Sequence, residues 1–260
     1  GLVPYEKTWI YVEKGIVNTD YTGMAQNVNG WWYVTDGMLD LTYTGLVQNE
    51  KDWWYFQNGR LNNTYFGFVK HDEEWWCIKD GKFDVSYTGL APRGGTWIYA
   101  DKGIMDLSYT GMAQNPNGWW YVKDGLIDYT YTGLAQNVNG WWYMKNGRLD
   151  LTYTGLYVKD GDWVYVNQGH LDLTYTGMAY NANGWWYMKN GKIDYTYTGV
   201  AQNTSGWWYF QNGRLDYTYT GFALNGSEWW YFQDSCFAKS FTGVAKGDSD
   251  YFYVKNGVID

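Results

Sequence analysis

The sequence predicts an all-β fold, a β-solenoid of stacked β-hairpins with about twelve 22-residue repeats. Three observations predict it: a glycine that recurs every 22 residues, an aromatic triplet at a fixed distance behind that glycine, and a composition suited to strands and turns. Aromatic residues make up 22% of the 260 residues, and Gly outnumbers Pro by 33 to 3. Aromatic residues and Thr favour strands, whereas Ala, Leu, Glu and Lys would dominate a helical bundle.

The repeat is defined by a glycine, usually in Thr-Gly, whose copies are separated by 22 residues at every step. Gly1 belongs to the same column, so residues 1–260 are predicted to form a single repeat array. Its repeats begin at residues 1, 23, 45, 67, 89, 111, 133, 155, 177, 199, 221 and 243. Because the chain opens in phase with the repeat, we expect it to be a fragment of a longer surface protein.

The aromatic triplet supplies all 19 tryptophans. Its first position is Trp in every repeat until Tyr251, and its second position is Trp in eight repeats and Ile, Val or Phe in four. Its third position is Tyr except at Cys77. We call the first two columns the first Trp and the second Trp.

One repeat, residues 133–154, shows how the pattern translates into structure. A strand is predicted over 130–136, a turn over 137–140 and a second strand over 141–144. Another turn is predicted at Asn146-Gly147, because Asn and Gly adopt positive φ at low cost. Each repeat is therefore predicted to be a β-hairpin followed by a short connecting segment.

A lone hairpin is marginal in water, and stacking on its neighbours would bury its aromatic rings. Side chains alternate across a strand, so Trp141 and Tyr143 should share one face and Trp142 should take the other. We assign the first Trp and the Tyr to the solenoid core. The second Trp, which varies more, is either a second buried layer or a partly exposed platform.

Net charge narrows the classes of partner that the chain can bind, and the cysteine spacing indicates whether a disulfide forms. The net charge of −8 and a pI near 4.7 disfavour nucleic acid and anionic membranes, because an acidic surface repels phosphate. No apolar run approaches the roughly 20 residues of a membrane helix, so membrane insertion is not expected. Cys77 and Cys236 are 159 residues apart, which is not a multiple of 22, and both are predicted to be free thiols.

The order of Thr-Gly, a short turn, an aromatic triplet and then Asn-Gly or Asp-Gly with an apolar residue two positions on resembles a known family. It is similar to the cell-wall-binding or choline-binding repeats of Gram-positive surface proteins, and to glucan-binding and clostridial toxin repeats. The resemblance covers the whole chain. It implies a β-hairpin solenoid in an extracellular, secreted or cell-surface protein, which attaches that protein to choline, glucans or host glycans.

The chain differs from the choline-binding pattern in two places. The segment between the apolar residue and the next Thr-Gly, as from Leu149 to Gly155, is longer here, and the residue after Thr-Gly differs. That pattern has a Trp directly after the glycine of Thr-Gly, which forms one wall of the choline cage. Here the position holds Met, Leu, Phe or Val, as at Met24, Leu134 and Phe222. The difference shifts the expected ligand from choline towards a neutral glycan or a protein.

The predicted ligand site combines the second Trp with a Gln-Asn pair that precedes the triplet. A flat ring can stack on a sugar face, and an amide can both donate and accept hydrogen bonds with hydroxyl groups. Repeats with Gln-Asn also carry the Trp pair, whereas the repeats with Ile or Val at the second position lack Gln-Asn. The candidate residues are Trp32, Trp54, Trp120, Trp142, Trp186, Trp208 and Trp230, with Gln26-Asn27, Gln48-Asn49, Gln114-Asn115, Gln136-Asn137 and Gln202-Asn203.

Simpler structural roles compete with this interpretation. The rings can all be core, and the Asn can serve only its turn. A column of Asp, as at Asp128 and Asp150, could bind calcium, but each repeat offers one carboxylate where calcium needs six to eight oxygens. Capping of a turn, with Asp accepting an N–H two residues on, explains the column better. No metal and no cofactor are expected.

Catalysis is not expected either. The only histidines, His71 and His170, lie in different columns, and no Ser/His/Asp or Cys/His set can be assembled. We interpret the chain as a non-catalytic extracellular module that binds a cell-wall polymer or another glycan, with a host surface protein as a further possible partner. The alternative is a structural stalk or protein-binding adhesin whose aromatic residues are all core. The sequence does not indicate an oligomeric state.

Overall fold

The computed structural model describes residues 1–260, which form 36 antiparallel strands and no helix, so the all-β prediction is confirmed. No helical segment is long and apolar enough to cross a membrane. Each of the twelve repeats contributes three strands, and the second strand pairs with the first and the third. The stacked hairpins form the predicted β-solenoid.

The first strands of the repeats are Leu2–Tyr5, Gly23–Asn27, Gly45–Gln48, Gly67–His71, Gly89–Arg93, Gly111–Asn115, Gly133–Asn137, Gly155–Lys159, Gly177–Asn181, Gly199–Asn203, Gly221–Asn225 and Gly243–Lys246. The second strands, which carry the aromatic triplet, are Thr8–Glu13, Gly30–Thr35, Trp53–Gln57, Glu74–Lys79, Thr96–Asp101, Gly118–Lys123, Gly140–Lys145, Asp162–Asn167, Gly184–Lys189, Gly206–Gln211, Glu228–Gln233 and Tyr251–Lys255. The third strands are Ile16–Val17, Met38–Leu39, Arg60–Leu61, Lys82–Phe83, Ile104–Met105, Leu126–Ile127, Arg148–Leu149, His170–Leu171, Lys192–Ile193, Arg214–Leu215, Cys236–Phe237 and Val258–Ile259.

The connecting segment differs from the prediction in two ways. The first strand begins at Gly133 and not at residue 130, and a third short strand, Arg148–Leu149, follows the second turn. Residue 130 lies in a turn because its N–H and hydroxyl both donate to Oδ1 of Asp128, at 2.9 and 2.6 Å. This side-chain cap competes with strand pairing. The strand therefore begins only after the capped turn, at Gly133.

The chain divides into two compact units. One contains Gly1–Tyr131 with Asn146–Arg148, and the other contains Thr132–Lys145 with Leu149–Asp260. The same contacts between successive repeats recur inside each unit. That the whole chain acts as a single array remains a prediction.

The register of the hairpin sorts each repeat into two faces. In the repeat that begins at 177, Ala179 pairs with Trp186 and Gly177 pairs with Met188. Ala179, Trp186 and Met188 therefore point to one face, while Trp185 and Tyr187 point to the other. The two tryptophans lie on opposite faces, as predicted.

Both faces are buried, because a repeat has neighbours on both sides. Met188 and Trp186 pack against Leu156 and Trp163 of the preceding repeat. On the other face, Trp185 and Tyr187 pack against Ala201, Phe210 and Trp208 of the following repeat. These two junctions thus join the first Trp of one repeat to the second Trp of the next, and where the second position is Ile98 or Val164 that smaller side chain takes the place of the indole.

The most buried column follows the Tyr of the triplet. The prediction that the first Trp and the Tyr form the core is therefore corrected for the first Trp, whereas Tyr55, Tyr99, Tyr143 and Tyr231 are buried. Val12 of the first repeat is half-buried, and every other member of the column after the Tyr is 0% exposed: Val34, Phe56, Ile78, Ala100, Val122, Met144, Val166, Met188, Phe210, Phe232 and Val254. The first Trp is half-buried in most repeats and exposed at Trp31 and Trp229. An indole is too large for one neighbouring hairpin to cover, whereas a smaller side chain is enclosed completely.

The turn glycine joins successive repeats through its backbone. The N–H of Gly125 donates to the carbonyl of Tyr109 at 2.9 Å, and its own carbonyl accepts the N–H of Tyr99 at 2.8 Å. Asp124 and Gly125 have φ of 51° and 72°, as a tight hairpin turn requires. A Cβ at Gly125 would lie 2.5 Å from the carbonyl oxygen of Asp106, so the preceding repeat leaves no room for a side chain.

Stacked tyrosines fill the space beside this contact. The ring of Tyr99 stacks on that of Tyr109 at 3.6 Å, and the Tyr109 hydroxyl donates to the carbonyl of Met112 at 2.7 Å. Equivalent pairs recur at most junctions within both units, for example Tyr165 with Tyr175 at 3.7 Å. Burial raises the pKa of Tyr99 to about 12, so its hydroxyl stays protonated at physiological pH.

At one junction this tyrosine pair is absent, and a Phe fills the space. Cys77 stands where the other repeats have the triplet Tyr, and Phe66 stands where they have the Thr of Thr-Gly. Phe66 packs beside Cys77 and meets Tyr87 edge-on at 5.5 Å, so it supplies the missing ring volume. Cys77 and Cys236 are both free, as predicted, and burial raises the pKa of the Cys77 thiol to about 12.

The Asp column caps turns, as predicted. In the six repeats of Asp40, Asp106, Asp128, Asp150, Asp172 and Asp194, hydrogen bonds from a Thr or Ser two residues on lower the pKa of the carboxyl group. The hydroxyl and the backbone N–H both donate to Oδ1, as at Asp150 with Thr152. Asn62 holds Thr64 in the same way without a charge.

Replacement of Ser235 by Gly is expected to stabilise the chain. Ser235 occupies the turn-glycine position with φ of 64°, and its buried hydroxyl has no hydrogen-bond partner. Removing the backbone strain and the unsatisfied hydroxyl should raise the free energy of unfolding by about 1–3 kcal/mol. Urea unfolding of the Ser235→Gly variant measures the gain. The reverse change in the preceding repeat, Gly213→Ser, should destabilise, and a Ser235→Gly variant no more stable than the native chain would contradict the prediction.

Acid should destabilise the chain through the Asp column. A carboxyl group whose pKa is lowered by folding contributes stability that is complete above its unfolded value, ordinarily 3.8, and is lost as the pH falls through the folded value. Thermal midpoints should therefore drop as the pH falls below the unfolded value and through the lowered pKa values of these carboxyl groups. Changing the six Asp with lowered pKa to Asn, the residue found at Asn62, should reduce this fall of the thermal midpoint with acid. An unchanged slope in the sixfold variant would show that other groups control acid unfolding.

Candidate functional site

In five repeats the second Trp is held by a hydrogen bond to the Asn that ends the first strand, which belongs to Gln-Asn in four repeats and follows Tyr180 in the fifth. The indole Nε1 donates to the Asn Oδ1 at 2.9 to 3.1 Å in the pairs Trp32–Asn27, Trp120–Asn115, Trp142–Asn137, Trp186–Asn181 and Trp208–Asn203. The same Oδ1 accepts the backbone N–H two residues on, as from Asn117 to Asn115 at 2.8 Å. The Asn therefore fixes both the turn at the hairpin tip and the orientation of the ring.

This bond gives a structural reason why Gln-Asn and the Trp pair occur together. Where this bond is not made, the ring has another acceptor or none. Trp76 and Trp230 donate to Glu74 and Glu228, at 3.1 and 3.2 Å. Trp54 has no partner for its buried Nε1, because the Oδ1 of Asn49 accepts two N–H groups of its own loop.

A cation of the following repeat lies over the second Trp at four junctions. The pairs are Arg60 over Trp32 at 5.5 Å, Lys82 over Trp54 at 5.6 Å, Arg148 over Trp120 at 5.6 Å and Arg214 over Trp186 at 5.7 Å. We call this contact the cation clasp. Each is worth roughly 0.5–1 kcal/mol at an exposed site.

The arginine clasps also bind the preceding hairpin tip. Arg214 donates to the carbonyl of Asn183 at 3.0 Å, and Arg148 donates to that of Asn117 at 3.3 Å. Lys82 instead pairs with Asp52, at 2.9 Å. The signal in the sequence is an Arg or Lys directly after the turn glycine, and it was missed because the pattern alone does not show which ring lies opposite.

The Gln of Gln-Asn faces the first Trp, not the second. Gln26 pairs with Trp31 across the hairpin, and the same register holds for the other four Gln residues. All five Gln side chains are exposed. The structure thus brings together an exposed amide and the edge of the first Trp, on the face opposite to the Asn and the second Trp.

Side chains of the next repeat cover the first Trp to different degrees. Arg93 lies over Trp75 at 3.6 Å and Lys159 over Trp141 at 4.0 Å, so these two rings face a cation of the chain itself. Trp31 and Trp229, in contrast, remain 38% and 50% exposed. The array therefore offers covered and open versions of the same junction.

Two open grooves share one cause. A groove of about 550 Å³ lies between Trp31 and the tip at 49–52, and one of about 450 Å³ lies between Trp229 and the tip at 247–250. Both tips are four-residue loops, closed by bonds from Asn49 to Asp52 and from Gly247 to Asp250. The tips are nine repeats apart in the sequence, and each wider loop lies beside a first Trp that is exposed.

The two histidines lie in different surroundings. His71 stacks on Trp76 at 3.9 Å, and His170 meets Trp142 edge-on at 4.7 Å. Met24 and its equivalents, where the choline-binding pattern has a cage Trp, face the following repeat, and Leu90, Leu134 and Leu156 are buried there. That position contributes to packing between repeats.

The roles of Asn and Gln can be separated by substitution. Asn115→Ala should lower the free energy of unfolding by about 1–3 kcal/mol, because it frees a turn N–H and the Nε1 of Trp120. Gln114→Ala, next to it but exposed, should change stability by less than about 0.5 kcal/mol. Chemical unfolding with indole fluorescence measures both. Equal losses in the two variants would rule out the structural role of the Asn.

Comparison with known proteins identifies the repeats with a family model. The choline-binding repeat model matches twelve segments, namely residues 1–18, 20–40, 42–62, 64–84, 86–106, 108–128, 130–150, 152–172, 174–194, 196–216, 218–233 and 240–260. No curated protein matches the chain.

Several solved structures are distantly similar. An alternansucrase in complex with isomaltononaose is 14% identical, with a TM-score of 0.37 over 92% of this chain and 18% of its own. CbpF in complex with ipratropium is 17% identical, with a TM-score of 0.29 over 92% and 93%. The modular autolysin LytC from Streptococcus pneumoniae is 14% identical, with a TM-score of 0.32 over 89% and 50%. The chain spans about a fifth of the alternansucrase and half of the autolysin. Because the family model matches nearly the whole chain, the protein belongs to the choline-binding repeat family.

Proposed function

We propose that the chain is a non-catalytic module that attaches its protein to cell-wall polymers or other glycans on the bacterial surface or in the secreted state. Membership of the choline-binding repeat family supports a repeat module that binds the cell wall or glycans. The acidic surface, with a net charge of −8, favours neutral or cationic polymers over anionic ones.

The observation that carries the proposal is the pairing of an exposed Gln with the first Trp in five repeats. The ring edge offers an apolar surface for the face of a sugar, and the amide beside it offers a donor and an acceptor to the sugar hydroxyls. Each such contact is weak. Several on one polymer would raise the overall affinity through effective concentration.

The second Trp and its Asn have a positioning role in this proposal. Their hydrogen bond holds the hairpin tip, and the Gln that we assign to sugar contact directly precedes that Asn. The residues predicted from the sequence thus remain part of the proposed site, with the sugar contact assigned to the Gln and the first Trp. This division follows from the two faces of the hairpin.

A structural stalk is the second candidate, and the cation clasps favour it. They tie successive repeats through both a ring and a backbone carbonyl, as Arg214 does with Trp186 and Asn183. Such ties would stiffen a spacer that holds another domain away from the surface.

Sedimentation with insoluble cell wall and with insoluble α-glucan tests the proposal. The native chain should bind at least one of them, and replacement of Gln26, Gln48, Gln114, Gln136 and Gln202 by Ala should weaken binding about tenfold or more, because each lost amide contact multiplies through the array. Gln211→Ala with Gln233→Ala is the matched control, since these exposed Gln residues end second strands away from the first Trp.

Absence of binding to either polymer by the native chain would leave the stalk as the better function. Equal binding by the fivefold variant and the native chain would overturn the assignment of the Gln residues. Competition by free choline during sedimentation separates choline recognition from glycan recognition.

A further inference from the structure

A groove on the other side of Trp31 has a lining that no equivalent position of the chain repeats. Its volume is about 510 Å³, and it lies between the tip of one repeat and the second turn of the next. Its polar lining is contributed by Gln57, Asn58, Arg60, Asn62 and Asn63. It therefore combines four side-chain amides with an exposed indole.

The hydrogen bonds within the groove leave a defined set of free groups. Asn62 is fully used, because its Nδ2 donates to the Oε1 of Gln57 at 3.0 Å and its Oδ1 holds Thr64. The Nε2 of Gln57 and the amides of Asn58 and Asn63 have no partner in the chain, and all three side chains are exposed. They offer donors and acceptors without any net charge.

The one cation in the groove is already engaged. The Arg60 guanidinium lies over Trp32 and donates to the carbonyl of Asn29 at 3.4 Å. No carboxylate lines the groove. An ionised ligand would give up hydration without gaining an ion pair, which disfavours charged occupants.

The corresponding groove one repeat further on is lined by ionised side chains in place of neutral amides. Its volume is similar, about 500 Å³, but Lys79, Asp80 and Asp84 replace the amides of Gln57, Asn58 and Asn62. An exposed apolar residue, Val85, replaces Asn63. The same backbone thus carries ionised groups in one groove and neutral amides in the other.

Asn63 is the residue that sets the groove apart. In the other repeats this column holds Leu, Val or Tyr, as at Leu41, Leu107 and Tyr129, except for Thr19 and Lys239, and none of these side chains is an amide. A single position changes from an exposed apolar group to a hydrogen-bonding group next to an exposed Trp. A ligand with one apolar face and several hydroxyls matches this combination, and a neutral saccharide is such a ligand.

We propose that the groove formed by Trp31, Gln57, Asn58 and Asn63 is a subsite for a neutral saccharide unit, with the sugar face on the indole and its hydroxyls on the amides. The inference rests on the proposed glycan-binding function and deepens it, because it names the chemical class of the ligand and one site. The subsite discriminates against charged sugars by offering them no counter-ion.

Two substitutions convert the groove to the chemistry of its neighbours. Asn58→Asp and Asn63→Leu introduce residues that the chain itself carries at equivalent positions, such as Asp80 and Leu107, so the fold tolerates them. The matched control, Asn212→Asp with Tyr217→Leu, makes the same changes in the same columns seven repeats away. Both double variants have the same charge and the same new side chains.

Binding is measured on the full chain by saturation-transfer NMR with isomaltotriose, cellotriose and tri-N-acetylchitotriose as neutral probes, and with the deacetylated, cationic form of the last as the charged probe. At least one neutral probe should bind the native chain. The groove variant should bind it at least tenfold more weakly, the control should bind it within about twofold of the native chain, and the charged probe should bind more weakly than its neutral parent.

Equal affinity in the native chain and the groove variant would overturn the subsite, as would a preference for the charged probe or no binding of any neutral probe. Sedimentation with cell wall and α-glucan distinguishes this failure from that of the proposed function. If the native chain still sediments with a polymer, the glycan-binding function stands and only the subsite fails. If it binds neither polymer nor probe, both fail.

Discussion

The fold depends on the turn glycine of each repeat, whose peptide lies directly against the preceding repeat. Its N–H and its carbonyl both bond to that repeat, as Gly125 does with Tyr109 and Tyr99. A Cβ would meet the backbone of the preceding repeat, so close approach and hydrogen bonding require the same residue. The single substituted copy, Ser235, keeps both backbone bonds while its hydroxyl is left without a partner.

This contact places large rings on both sides of every hairpin. A repeat uses one face to cover its predecessor and the other to be covered by its successor, so neither Trp column is wholly core or wholly surface. Side chains smaller than an indole, such as Met188 and Val166, are enclosed, while the indoles keep exposed edges. The binding surface that we propose is therefore a consequence of packing large rings between narrow hairpins.

Variation within the array follows the same logic, since a change at one position is matched across the junction. Phe66 adds a ring where Cys77 has lost one. Glu74 and Glu228 accept from the second Trp in two repeats where the indole does not bond to the Asn column. Junctions also differ in what covers the first Trp, from the guanidinium of Arg93 to an open groove at Trp229. The scaffold is constant, and the junction chemistry is variable enough to carry specificity.

The sequence by itself determined the period, the two turns, the alternation of the two Trp faces, the Asp caps and the free cysteines. These features depend on neighbours in the chain: an Asn-Gly turn needs only its own φ values, and Asp128 holds a Thr two residues away. The all-β solenoid followed because such hairpins cannot bury their own rings.

Only the tertiary structure decided which column is fully buried, which ring faces Gln and which faces Asn, and where a cation covers an indole. Val34 and its equivalents form the core because the preceding repeat encloses that position, as Leu156 and Trp163 do for Met188. Trp31 and Trp229 are open because the tip of the following repeat is a wider loop. Arg60 reaches Trp32 from 28 residues further along the chain. These properties arise between repeats, where distance in sequence does not fix which side chains meet.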